Sequence, residues 1–288
     1  MAIQLLLLGN PNVGKSTIFN NLTGMHQHTG NWPGKTVSNA TGNCLYNDTD
    51  FLFVDIPGTY SIMSNSEEEE IARDYICFGN PDATVIVVDA TCLERNLNLV
   101  FQIMELTDNV IVCVNLLDEA KNKKIKVDLK SLSKKLGVPV VGTIARKKKT
   151  LQNLMSTIYD VCAHQNLPTP QKINYPKCIE DGILSLTQEL KNQFDLPQNL
   201  YRWISLKILD GEDKILSSIE DNFSISLRTN AKIQLLRNEI LINLKKENIY
   251  KETFKDTIVS SIMKQAEKIC KEVCRFENEN YSRKRPKD

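Results

Sequence analysis

Apolar residues follow two different rhythms along the 288 residues of this chain. In the first half, short unbroken apolar runs alternate with stretches of helical spacing. IQLLLL at 3–8, FLFV at 51–54, ATVIVVD at 83–89, VIVCVN at 110–115 and VPVVGTI at 138–144 lack polar alternation, which predicts strands covered on both faces. Helices are expected from about Lys15 to Thr23 and over 66–77, 94–106, 128–136 and 150–162. The second of these opens with four glutamates, placed where a helix dipole favours negative charge. Residues 36–45 have strand character, whereas Gly24–Lys35 is polar, carries glycine and has neither period, so a mobile loop is expected there. Strands alternating with helices predict a doubly wound α/β sheet.

After about residue 165 the rhythm changes. The segment 166–176, NLPTPQKINYP, has three prolines and no apolar period, and predicts a linker. Beyond it apolar residues recur only at helical spacing, as in Ile179, Ile183, Leu186, Leu190 or Ile258, Ile262, Ala266, Ile269, Val273. This predicts four or five helices and no strand. The expected domains are therefore 1–165, a linker 166–176, a helical domain 177–280 and a short basic tail 281–288.

Composition narrows the function classes. With 41% apolar and 25% charged residues and a formal charge of +1, the chain suits one large or two medium soluble domains, and no nucleic-acid partner is expected. Eight cysteines without CxxC spacing read as reduced cytosolic thiols rather than a zinc site. No apolar run approaches the ~18 residues of a membrane span, and the first strand lacks the positive leader of a signal peptide.

The chemistry lies at strand ends. Gly9-Asn10-Pro11-Asn12-Val13-Gly14-Lys15-Ser16 satisfies GxxxxGK[ST] between a strand and a helix, with Thr17 following. Its amides and the helix start are expected to hold phosphates, Lys15 to reach the β/γ bridge and Ser16 to ligate Mg²⁺. Asp55-Ile56-Pro57-Gly58 ends the FLFV strand, with Asp55 for water-bound Mg²⁺ and the Gly58 amide for a γ-phosphate. A loop threonine completing the Mg²⁺ shell is sought among Thr23, Thr29, Thr36 and Thr41, and chain order favours Thr36. Asn115-Leu-Leu-Asp118 ends the next strand as an NxxD in which Asp118 accepts from the guanine N1–H and N2 amine, an arrangement adenine leaves unpaired. Thr143 and Ala145 end the last strand, and the Ala145 N–H is assigned to guanine O6. Motifs and elements together predict a Ras-like P-loop GTPase fold with a mostly parallel sheet, followed by a smaller all-helical domain. Thr59 and Tyr60 stand where a water-orienting glutamine follows DxxG in Ras-type enzymes, so slow intrinsic hydrolysis is expected. Asn12 is a candidate ligand for a monovalent cation bridging the phosphates. His26 and His28, two apart with no third ligand, read as incidental.

GNPNVGKST, GNWPGKTV at 30–37 and DIPGTYS resemble the amino-terminal cytosolic part of the bacterial ferrous iron transport protein B family, and INYPKCIEDGI with YRWISLKILDGED resembles its helical domain. The resemblance implies a GTPase, converting GTP and water to GDP and phosphate, that regulates or drives Fe²⁺ uptake by an attached membrane region on the cytoplasmic face of the bacterial inner membrane. It also implies potassium activation through Asn12, the Mg²⁺ threonine at Thr36, a first switch from Gly24 to about Ser38 and a second from Asp55 to about Glu70. Lys35 stands where the family usually has a small apolar residue, Leu116 fits members that lack the NKxD lysine, and Ala145 is without the preceding serine. The chain is read as a soluble piece of a larger protein, with a split gene as the alternative, and its basic tail as lying by an anionic leaflet. Its oligomeric state, a homo-oligomer included, is left open. The rivals are a potassium-dependent GTPase of tRNA modification or ribosome assembly, and an interaction module that binds nucleotide with negligible hydrolysis.

Overall fold

The computed structural model describes residues 2–24, 27–31, 38–63, 66–163 and 168–276. Thr36, His26, Lys35 and the basic tail lie outside them. The chain divides into two units, one of Met1–Gln171 with Ala266–Asp288 and the other of Lys172–Gln265.

The first unit is built on a seven-stranded sheet. Its strands are β1 (Ile3–Gly9), β2 (Gln27–Asn31), β3 (Ser38–Tyr46), β4 (Thr49–Asp55), β5 (Ala83–Asp89), β6 (Val110–Asn115) and β8 (Val140–Gly142), in the order β2-β3-β4-β1-β5-β6-β8. The pairs β4-β1, β1-β5, β5-β6 and β6-β8 are parallel, while β2-β3 and β3-β4 are antiparallel. Leu5 to Leu8 and Val85 to Val88 are fully covered, as unbroken apolar strands in the middle of a sheet must be. The helices are α1 (Lys15–Thr23), α2 (Glu67–Phe78), α3 (Leu93–Met104), α4 (Leu117–Asn122), α5 (Leu129–Leu136) and α6 (Lys148–Cys162). Because parallel strands need crossovers, the loops leaving the carboxyl ends of β1, β4, β5, β6 and β8 open on the same sheet edge, where the motifs gather.

The structure departs from the sequence expectation at β2, at two further short strands and at β8. β2 occupies part of the segment expected to be a loop, and its main chain pairs with β3 from Gln27↔Gly42 to Asn31↔Ser38. An edge strand held by main-chain bonds on one side needs no apolar period, so periodicity does not announce it. β7 (Ile125–Val127) and β9 (Cys274–Phe276) form a two-stranded antiparallel sheet, with β9 following the last helix where no strand is expected. Three residues are too few for an alternation to register, and the partner lies far away in sequence. The strand expected over 138–144 shortens to Val140–Gly142.

The second unit holds α7 (Lys177–Gln193), α8 (Leu200–Asp210), α9 (Asp213–Phe223), α10 (Ala231–Lys246) and the first part of α11 (Lys251–Val273). Ile179, Ile183, Leu186 and Leu190 of α7 are buried with Ile204, Ile208 and Leu209 of α8. Arg202 of α8 grips the Glu180 carboxylate of α7 at 2.7 and 2.9 Å and donates to the Ile173 carbonyl at 2.9 Å. Burial pushes the Glu180 carboxyl up, but the hydrogen bonds from Arg202 and from the Tyr175 N–H prevail and hold it below its ordinary range.

Candidate functional site: a phosphate cavity joined to a base pocket

The loop between β1 and α1 is shaped by two left-handed residues. Asn12 has φ 65°, a conformation asparagine tolerates, and Gly14 has φ 83°. A Cβ on Gly14 would stand 2.4 Å from the Asn115 side-chain nitrogen, so only glycine fits both the conformation and the space. Gly14 also caps α1 without any side-chain bond to the first turn, leaving the amides of that turn open to a ligand. Gly58 closes the far side, where an added Cβ would lie 3.0 Å from Pro11 Cα.

These segments enclose a cavity of about 590 Å³ lined by Asn10, Pro11, Asn12, Gly14, Lys15, Ser16, Thr17, Asp55 and Gly58, all singled out in the sequence, together with Ala40 and Pro57, which were not. Gly9 lies beneath it and accepts the Thr59 N–H at 3.1 Å, and Val13 is buried in the core. Lys15 donates to Asp55 in a short ion pair whose side chains are 9% and 13% exposed. Burial raises the Asp55 carboxyl, and the neighbouring Lys15 ammonium partly counters that. The pair keeps two buried charges compensated.

The base side is organised by Asn115, which is fully buried. Its Nδ2 donates to the Val13 carbonyl at 2.9 Å, and its Oδ1 accepts from the Thr143 hydroxyl at 3.1 Å and the Ala145 N–H at 3.2 Å. One amide thus joins the phosphate loop to the last base loop. Of the residues assigned to guanine by sequence, Asn115, Thr143 and Ala145 are brought together and bond to one another. Asn21 of α1 adds a bond to the Ala145 carbonyl at 3.1 Å. Asp118 sits half-buried in the first turn of α4. Leu116, where a lysine is usual, is left-handed at φ 61° and reaches to 3.9 Å from the position of a Gly14 Cβ, so its apolar side chain lies along the phosphate loop. Arg146 to Lys149 are exposed at the start of α6. Thr36 falls outside the described residues.

Sequence reasoning missed what holds the segment after Gly58. Thr59 is 4% exposed and its hydroxyl donates inward to the Ser61 carbonyl at 2.7 Å. Gln102 and Arg95 of α3 engage Ile62, Ser61 and Tyr60. Helical spacing marks α3, but nothing in it shows which of its polar residues face this loop.

Among the described residues no group of three or more His, Cys, Asp or Glu side chains is arranged to hold a metal ion. A phosphate-bound Mg²⁺ needs no such group, because a hydroxyl, one carboxylate, water and phosphate oxygens suffice. Ser16 and Asp55 in one cavity are a hard oxygen donor pair that fits that ion.

A mostly parallel sheet with a strand–loop–helix phosphate cavity at its carboxyl edge defines a P-loop protein of the Ras-like GTPase fold. The particular branch follows from comparison. Residues 3–158 match the family model described as Ferrous iron transport protein B, and residues 175–275 match that of the FeoB cytosolic helical domain. The chain belongs to the ferrous iron transport protein B family. It is 38% identical over 216 residues to an Fe(2+) transport protein A/Fe(2+) transporter FeoB fusion protein of Porphyromonas gingivalis, covering 74% of this chain and 26% of that one. It is 37% identical over 210 residues to the Fe(2+) transporter FeoB of Escherichia coli, covering 72% and 26%. The matched region thus spans about a quarter of the length of these curated relatives. Among solved structures, a variant of S. thermophilus NFeoB bound to GDP superposes with a TM-score of 0.81 at 29% identity, covering 96% of this chain and 100% of that one. The cytosolic domain of T. maritima FeoB in a GMPPNP form gives 0.78 at 28%, covering 96% and 100%. No helix of the described residues is long and apolar enough to cross a membrane.

Proposed function

We propose that this chain binds GTP and GDP, hydrolyses GTP slowly with potassium stimulation, and by that cycle regulates or drives Fe²⁺ uptake through a membrane region of the same protein at the cytoplasmic face of the bacterial inner membrane. The supporting observation is the cavity that gathers Asn10 to Asn12 and Gly14 to Thr17 with Asp55 and Gly58, in a chain that has relatives named as Fe(2+) transporters and that resembles FeoB structures bound to GDP or in a GMPPNP form. In this reading residues 1–165 are the hydrolysing domain, and the helices after the 166–176 linker relay its state.

The chain's own groups perform most of the work. The open amides of α1 and of the phosphate loop hold the α- and β-phosphates, and Lys15, leaving Asp55, binds the β/γ bridge. The Gly58 N–H fixes the γ-phosphate so that water attacks in line. Asp118 pairs with the guanine N1–H and N2 amine while Asn115 holds the two loops of the pocket in register. Ser16, Asp55 through water, and Thr36 would hold Mg²⁺, which neutralises charge on the β- and γ-oxygens. Asn12, exposed at the cavity, would hold K⁺.

A second reading, nucleotide binding without turnover, is favoured by one observation: Thr59 is turned into the protein, so no side chain there orients water. Phosphate release over many turnovers in KCl against NaCl separates the two. Stimulation by KCl that Asn12→Ala removes, with GDP binding kept, supports the enzyme reading, and no release in either salt overturns it.

A further inference from the structure

Residues 59–63, directly after Gly58, have no regular structure of their own, and their position is set from α3. The Gln102 side-chain oxygen accepts the Ile62 N–H at 2.8 Å and the Ser61 hydroxyl at 3.0 Å. The Arg95 guanidinium lies 4.4 Å from the centre of the Tyr60 ring. Arg95 and Gln102 are two helical turns apart and therefore share one face of α3. The helix that carries them is well seated: Asn96, 3% exposed, accepts the Asp89 N–H at 3.1 Å and donates to the Cys92 carbonyl at 2.9 Å. On the other side of Tyr60, the Thr59 N–H is fixed to the Gly9 carbonyl.

We propose that Arg95 is a positioning residue for recognition of the γ-phosphate: stacked on Tyr60, and with Gln102 two turns on, it clamps the segment after Gly58 to α3 and so holds the Gly58 amide at the phosphate cavity. The proposal rests on the GTP reading of that cavity. The clamp compensates for the inward turn of Thr59, because the backbone amide is placed from α3 and needs no side chain at that position. GDP lacks the phosphate that Gly58 meets, so loosening the clamp affects GTP and its analogues and spares GDP. A cation over a half-exposed ring contributes an amount equivalent to about two- to fivefold in an equilibrium or rate.

The test measures kcat, KM and the Kd of GDP and of a non-hydrolysable GTP analogue for the wild type, Arg95→Ala, Arg95→Lys, Tyr60→Leu, Tyr60→Phe and the Arg95→Ala/Tyr60→Leu double variant. Arg95→Ala and Tyr60→Leu should each lower kcat and weaken the analogue about two- to fivefold, leaving GDP unchanged. Arg95→Lys and Tyr60→Phe keep a cation on a ring and should recover most of the loss, and the double variant should be no worse than either single one. Equal weakening of GDP and analogue, additive losses, or no loss at all would overturn the clamp. A wild type that binds the analogue but never turns over would refute hydrolysis alone, and the analogue-to-GDP ratio would still judge Arg95.

Discussion

At the scale of single residues, the site depends on positions where one atom more or less decides the outcome. Gly14 combines a left-handed backbone with the nearest approach of Asn115, so Gly14→Ala carries both a conformational cost of about 1–2 kcal/mol and a clash at 2.4 Å. GDP binding measured by calorimetry should weaken at least about tenfold in that variant, and unaltered affinity would show that the loop can re-form without glycine. Asp118 is the opposite kind of residue, half-buried in the first turn of α4 and proposed to pair with the base through its carboxylate. Asp118→Asn should lower affinity for GDP and raise the relative affinity for xanthine nucleotides, whose N1 and C2 positions complement an amide better than a carboxylate. An unchanged guanine-to-xanthine ratio in a competition assay would remove Asp118 from the base contact. Both residues were legible from motif spacing. The commitment of Asn115 to Val13, Thr143 and Ala145 was not, because those partners lie on two segments far from it in the chain.

Among the elements, strands and helices of the first unit lie close to where the apolar rhythm puts them. β5 and β6 coincide with the runs 83–89 and 110–115, and α2 starts where Ser66 caps the Glu69 N–H ahead of its acidic first turn. The rhythm failed for β2, β7 and β9, all of which are short or at an edge and are stabilised by main-chain pairing. In the second unit the α7–α8 pair is secured by Arg202 on Glu180 as well as by apolar contact. Since the folded Glu180 carboxyl lies below its ordinary value of 4.5, its contribution is present above that pH and is lost as pH falls through the lower folded value. Glu180→Gln should therefore lower the stability of the helical unit by about 1 kcal/mol at neutral pH, a modest figure because both partners are partly exposed. Urea unfolding of wild type and variant should converge as pH is taken well below 4.5; a gap that stays constant with pH would mean the pair acts by packing alone.

For the whole molecule, the phosphate cavity and the base loops belong to the first unit, so ligand should stabilise that unit by mass action. GDP with Mg²⁺ at a hundred times its Kd should add about 2.7 kcal/mol to its unfolding free energy, seen as a rise in melting temperature that ADP at the same concentration does not produce. An equal response to ADP would remove base selectivity from the account. The family assignment and the fold agree over nearly the whole chain. By itself the sequence determined the alternation of strands and helices, the loop after β1 with Asp55 beside it and the change to helices after the prolines, because each is written locally in periodicity or spacing. Only the tertiary structure decided that Asn115 joins the loops, that Thr59 faces inward, that Arg95 and Gln102 hold the segment beside it and that the last residues of α11 return to the first unit. Those are contacts between residues distant in sequence, and their partners are selected by packing geometry that no local pattern encodes.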